Sequence, residues 1–207
     1  MRGLVIFAYL LASSSVFAQS DAALQERLKS IGSDPVALRA AVDAGKKVTF
    51  FCANCHGDDG ISKTADVPNL AGQNPAYLLE QIRKFGNGER KDPFMQGLIK
   101  VLKGEERIQV ALYYASVKVA PSVAEASLVP RGKELFGKLC ARCHGEQAHG
   151  NELYPRLAGQ KVPYLKTSVT RYRDRSGERN NQLMSIATAT LKNEDITAIA
   201  NYLTQLP

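Results

Sequence analysis

Apolar positions along this chain recur at three- and four-residue spacing, and they do so in two matched sets. Ile108, Ala111, Leu112 and Ala115 share one face of a predicted helix over 105–117, and Ile196, Ile199, Ala200 and Leu203 do the same over 194–206. Gly104 and Asn193 occupy the expected N-cap positions, each followed by two acids that favour a helix start. Further helices are expected over 35–51 and 131–139, and over 75–85 and 163–173. A lead-in over 19–44 reads as partly helical, over 22–31 and then from Pro35. No segment alternates apolar and polar residues as a half-buried strand does, so the fold class is all-α.

The matched sets belong to a tandem repeat. Cys52-Ala53-Asn54-Cys55-His56 returns as Cys140-Ala141-Arg142-Cys143-His144. Pro68-Asn69-Leu70-Ala71-Gly72-Gln73 returns as Pro155-Arg156-Leu157-Ala158-Gly159-Gln160, and Tyr77-Leu78 as Tyr164-Leu165. Gly88-Glu89-Arg90 returns as Gly177-Glu178-Arg179, and Met95 as Met184. Ordered landmarks with almost constant offset imply duplication. Residues 119–130, small and bracketed by prolines, read as the linker between a first domain over 19–118 and a second over 131–207.

The chemistry lies in the cysteines. C-x-x-C-H is the attachment sequence for c-type haem: two thiols reach the two vinyl groups of one haem, and the next residue offers an imidazole to the iron. Used this way, Cys52, Cys55, Cys140 and Cys143 hold two covalent haem c groups and leave no cysteine for a disulfide. Zinc is the rival ligand, but zinc ribbons space their cysteine pairs by about 15–20 residues, far less than the separation here, and both histidines would go unexplained. A thioredoxin-like pair needs a βαβ setting that this sequence lacks.

His56 and His144 are therefore the expected iron ligands on one side. Met95 and Met184, the only methionines besides Met1, stand in register with the two motifs and are the expected ligands on the other. Pro68 and Pro155 follow their histidines closely enough for their carbonyls to accept the remaining imidazole N–H and orient the ring; a proline that merely breaks the chain would look the same. Tyr77, Tyr164, Arg90 and Arg179 are candidates for binding the haem propionates, or equally for packing and solvated surface. His149 has no counterpart in the first repeat and reads as an exposed loop residue.

Charge and export narrow the function. Arg2, an apolar run from Leu4 to Ala12 and the small-residue site at Val16-Phe17-Ala18 form a secretory signal peptide over 1–18, cleaved after Ala18. As a membrane anchor the run falls short of the roughly 20 residues a span requires. The net charge is +7, and residues 129–207 carry most of it, with 12 basic and 7 acidic side chains. Tyr172 alone interleaves the arginines at 171, 173, 175 and 179, so no nucleic-acid partner is expected.

The paired C-x-x-C-H motifs, the repeated P-x-L-A-G-Q-x-x-x-Y-L segments, and G-E-R followed by methionine resemble the dihaem cytochrome c4 family over roughly 44–207. The resemblance implies two class I cytochrome c domains packed about a pseudo-twofold axis, each with a haem-centred core and His/Met ligation. It implies a soluble periplasmic electron carrier in a respiratory chain, with a cytochrome bc1-type donor, a haem–copper oxidase such as the cbb3 type as acceptor, and at most loose membrane association through those partners. The lead-in over 19–44 is longer than the family pattern and is either a docking element or an inert extension.

Two other readings compete. A dihaem electron-transfer subunit of a dehydrogenase has the same residues. An enzyme such as a dihaem peroxidase or thiosulfate dehydrogenase needs a displaceable or unusual iron ligand and added sequence for a pocket, and the two in-register methionines argue against it.

Overall fold

The computed structural model describes residues 20–177 and 181–207. The expected signal segment over 1–18 and Arg179 lie outside them. The described residues form helices and no strands. The first half contains α1 (Asp21–Ser33), α2 (Pro35–Val48), α3 (Phe50–His56), α4 (Pro75–Asn87), α5 (Pro93–Lys100) and α6 (Gly104–Ser116). A 3-10 turn at Ala126–Leu128 leads into α7 (Val129–Leu139), α8 (Ala141–His144), α9 (Val162–Arg173), α10 (Gln182–Thr188) and α11 (Asn193–Thr204).

The chain's own chemistry places these ends. Asp34 closes α1 and caps α2, its Oδ1 accepting from Val36 N at 2.8 Å and Ala37 N at 3.2 Å, with Pro35 supplying a preset first-turn φ. The expected N-caps at Gly104 and Asn193 are one residue late. Lys103 and Lys192 are the caps, because the third helical residue reaches back: Glu106 accepts from Lys103 N at 2.7 Å and Asp195 from Lys192 N at 3.0 Å. The helix expected over 35–51 is broken at Thr49, after which the motif starts a separate helix. In the second half the break falls at Cys140 itself.

Each half is organised by one close helix crossing. A Cβ on Gly45 would stand 2.2 Å from Gln109 O, and one on Gly132 would stand 2.1 Å from Ala198 O, so only glycine lets α2 meet α6 and α7 meet α11 at this distance. Two separate apolar clusters form around these crossings. The first draws on Leu78, Ile82, Phe85, Ile108 and Tyr114, the second on Phe136, Leu165, Ile196, Ile199 and Leu203. The lead-in is part of the first: Leu24, Leu28 and Ile31 of α1 are buried there, covering α4 and α6.

The halves meet through the two P-x-L-A-G-Q segments. Val119, the first residue of the expected linker, is wedged between them: a Cβ on Gly72 would strike Val119 Cγ2, and one on Gly159 would strike Val119 Cγ1. Gly72 N donates to Tyr114 O and Gly159 N to Leu203 O, both at 2.9 Å, as a pseudo-twofold relation requires. The linker then runs along α11, with Ser122 N donating to Thr204 O and Glu125 N to Asn201 Oδ1, each at 2.9 Å.

Candidate haem-binding sites

Both motif histidines end short helices and turn inward. His56 is 7% and His144 4% exposed. His56 Nδ1 lies 2.9 Å from Pro68 O, and His144 Nδ1 lies 3.0 Å from Pro155 O. A carbonyl oxygen can only accept, so Nδ1 carries the proton and donates it in both rings. In the neutral imidazole that leaves the Nε2 lone pair free. Burial lowers the pKa of both histidines against the opposing effect of the proline carbonyls, and the charge of Arg90 adds to the lowering at His56.

His144 Nε2 is buried and has no hydrogen-bond partner. A buried acceptor left unmatched costs about 1–3 kcal/mol, and an electron-pair acceptor such as an iron ion relieves that cost. The cysteines fit the same group. All four are free thiols, in no disulfide. Burial raises the Cys52 pKa and pushes Cys140 up to about 11, so these two are neutral rather than reactive thiolates. Among the described residues no cluster of three or more His, Cys, Asp or Glu side chains is arranged for a metal ion.

Met95 and Met184 ride on α5 and α10, two helices absent from the sequence expectations. Each methionine is the third helical residue and half-buried, with its backbone N–H held by the N-cap side chain: Met95 N donates to Asp92 Oδ1 at 2.9 Å, Met184 N to Asn181 Oδ1 at 3.0 Å. The Asp92-Pro93 pair was the available signal, an N-cap acid before a first-turn proline. Tyr77 and Tyr164 are likewise equivalent, each half-buried as the third residue of α4 and α9. Arg90 lies over the Phe85 ring, 4.3 Å from its centroid, and donates to Gln81 Oε1 at 3.0 Å. His149 is exposed, its Nε2 donating to Pro207 O at 3.0 Å.

Sequence reading found the repeated glutamines without a role for them. Gln73 and Gln160 are both 7% exposed and cross between the halves. Gln160 Oε1 accepts from Asn69 N at 2.9 Å while its Nε2 donates to Asn69 O at 2.9 Å. Gln73 Oε1 accepts from Arg156 N at 2.7 Å while its Nε2 donates to Arg156 O at 2.9 Å. Each amide is matched on both sides, which fixes its orientation. The next residue on each side adds a crossing contact: Lys161 Nζ donates to Ser62 O at 2.8 Å and Thr64 O at 2.6 Å, and Asn74 Nδ2 donates to His149 O at 3.1 Å and Tyr154 O at 3.2 Å.

Comparison with known proteins agrees with this duplicated plan. The cytochrome c family profile matches residues 129–207. The chain is 34% identical over 172 residues to cytochrome c4 of Pseudomonas aeruginosa, covering 77% of this chain and 86% of that protein. It is 32% identical over 171 residues to the thiosulfate dehydrogenase electron acceptor of Thiomonas intermedia, covering 75% and 78%. Among solved structures, reduced recombinant cytochrome c4 from Pseudomonas stutzeri superposes with a TM-score of 0.74 at 31% identity, covering 80% of this chain and 98% of that one.

Proposed function

The chain belongs to the cytochrome c4 family and carries two covalently bound haem c groups, and from that premise we propose that it shuttles single electrons between periplasmic redox proteins. Cys52 and Cys55 would hold the first haem through thioethers, with His56 and Met95 offering their side chains to its iron. Cys140 and Cys143 would hold the second, with His144 and Met184. The observation that carries this reading is the pair of buried histidines whose Nδ1–H is spent on a proline carbonyl, one of them with an orphaned Nε2.

When bound, the haem iron supplies a one-electron couple, and the protein sets its potential and access. The polypeptide's part is to hold the ligands and exclude water. A ligating thioether favours the reduced state and raises the potential. The reading would give both protein ligands of each iron to side chains of this chain, and it assigns no catalytic residue. Tyr77, Tyr164, Arg90 and Arg179 remain candidates for the propionates. The domain division at 119–130 is part of the proposal, supported by the two separate apolar clusters.

The proposed acceptor is a haem–copper oxidase, with a cytochrome bc1-type donor. The Thiomonas intermedia relative, named as an electron acceptor of thiosulfate dehydrogenase, favours a second reading in which such a dehydrogenase is the donor. The proposal puts both exchanges in the periplasm, on the strength of the signal segment expected over 1–18. No helix among the described residues is long and apolar enough to cross a membrane.

The test is direct. Mass spectrometry of the purified protein should show two added haems and a chain beginning at Gln19. Ferric protein should show the weak near-infrared band of methionine-ligated haem. Stopped-flow oxidation by oxidase-containing membranes should be fast and should slow as salt rises, because the basic second domain steers the encounter. A colourless or high-spin protein would overturn the reading.

A further inference from the structure

Pro68 O and Asn69 N–H are the two ends of one peptide group. The oxygen accepts from His56 Nδ1 at 2.9 Å, and the N–H donates to Gln160 Oε1, in the other domain, at 2.9 Å. The arrangement is repeated in reverse: Pro155 O accepts from His144 Nδ1 at 3.0 Å, and Arg156 N–H donates to Gln73 Oε1 at 2.7 Å. We infer that each haem's axial histidine is tuned from the opposite domain through this peptide, with Gln160 the positioning residue for the first haem and Gln73 for the second. The inference rests on the assignment of His56 and His144 as iron ligands.

The physics runs through polarisation. Hydrogen bonds in a chain strengthen one another, most of all where water is excluded. Gln160 Oε1 draws on the Asn69 N–H, which shifts electron density toward Pro68 O. The oxygen then accepts more strongly from His56 Nδ1–H, and the ring becomes a stronger electron donor at Nε2. A more basic ligand favours the ferric state and lowers the potential. The second bond of each glutamine, from Nε2 to Asn69 O or Arg156 O, stops the peptide from rotating away.

The crossed geometry makes a specific prediction. Gln160→Leu should raise the potential of the first haem by about threefold in its reduced-to-oxidised ratio, about 30 mV for a one-electron couple, and leave the second nearly unmoved. Gln73→Leu should do the reverse. Potentiometric titration of the holoprotein, with the haems told apart by their paramagnetically shifted methyl resonances, reads both. The Nδ1–H resonance of the tuned histidine should also move and exchange faster in the matching variant. If Gln160→Leu does not fold, Gln160→Asn, one methylene shorter, should give a smaller shift of the same sign.

Equal shifts of both haems in either variant, or no shift in either, would overturn the inference: the glutamines would then only fasten the domains together. Failure of the ligand assignment gives a different signature, because the His56 and His144 ring protons would lack paramagnetic shifts in the unaltered protein.

Discussion

The Phe136 and Tyr202 rings pack against each other in the second domain, their centroids 5.6 Å apart at 51°. The first domain solves the same crossing with different side chains. Four residues after Gly45, where the second domain has Phe136 after Gly132, stands Thr49, buried to 3%. Across from it Tyr114 takes the place of Leu203, and Tyr113 and Tyr114 pack at 5.2 Å. The aromatic ring changes sides of the crossing: Tyr114 faces Thr49 in the first domain, where Leu203 faces Phe136 in the second.

Phe136 is 1% exposed, so Phe136→Ala should cost about 3–5 kcal/mol through lost burial and the cavity left behind. Calorimetry of the holoprotein should show the second domain melting earlier, with the first domain's transition little changed.

Tyr114 should behave differently. Burial, with Cys52 and Tyr113 nearby, raises the pKa of its hydroxyl well above that of an ordinary phenol, against a weak opposing contact with Thr49. Tyr114→Phe removes that marginal contact and keeps the ring, so the melting temperature should change little. A fall of several degrees would show that the Thr49 contact helps hold the crossing.

The glycine crossings predict a matched pair of failures. Gly45→Ala and Gly132→Ala each drive a methyl group into backbone on the facing helix, which cannot yield as a flexible side chain does. Each should cost about 1–3 kcal/mol, seen as a lower urea midpoint for the domain concerned. Gly97→Ala, which meets nothing within 4 Å, is the control and should be nearly silent.

Met184→Ala should lower the potential of the second haem and open it to small ligands such as cyanide, leaving the first nearly unaffected, if the proposed ligation holds. Met95→Ala should do the same to the first. Spectral titration with the added ligand checks both, and binding to both haems in a single variant would contradict the assignment.

Asp195 gives the pH dependence. Its carboxylate accepts from Lys192 N and pairs with Arg131, and the Arg131 bond first, then the backbone bond, hold its pKa below the usual range. A depressed folded-state value means that this contribution is complete above the unfolded pKa, about 3.9, and is lost as pH falls through the lower folded value. Asp195→Asn should therefore lower stability at neutral pH and flatten the acid limb of the stability curve. Denaturant melts from pH 3 to 7 would show a slope unchanged from the parent if the pairing contributes nothing.

Legibility differed between parts of the molecule for identifiable reasons. The closing helices over 105–117 and 194–206 were visible because a long amphipathic face leaves a clear 3.6-residue signal, and the observed ends differ by one or two residues. Helices α5 and α10, of 8 and 7 residues, are too short for such a period to emerge, although they carry Met95 and Met184. The lead-in gave the right helices but not their purpose. Nothing local says that Leu24, Leu28 and Ile31 complete a core built from residues some fifty to ninety positions later.

By itself the sequence determined the duplication, the helical class and the two C-x-x-C-H motifs, because covalent attachment and helix periodicity both act between residues a few positions apart. Only the tertiary structure decided that Gln160 grips the peptide after Pro68 and Gln73 the peptide after Pro155. Those bonds join residues 83 to 91 positions apart and use backbone atoms that every residue possesses. A side chain's choice among identical peptide groups is made by where the folded chain brings them, and no pattern of residue types records it.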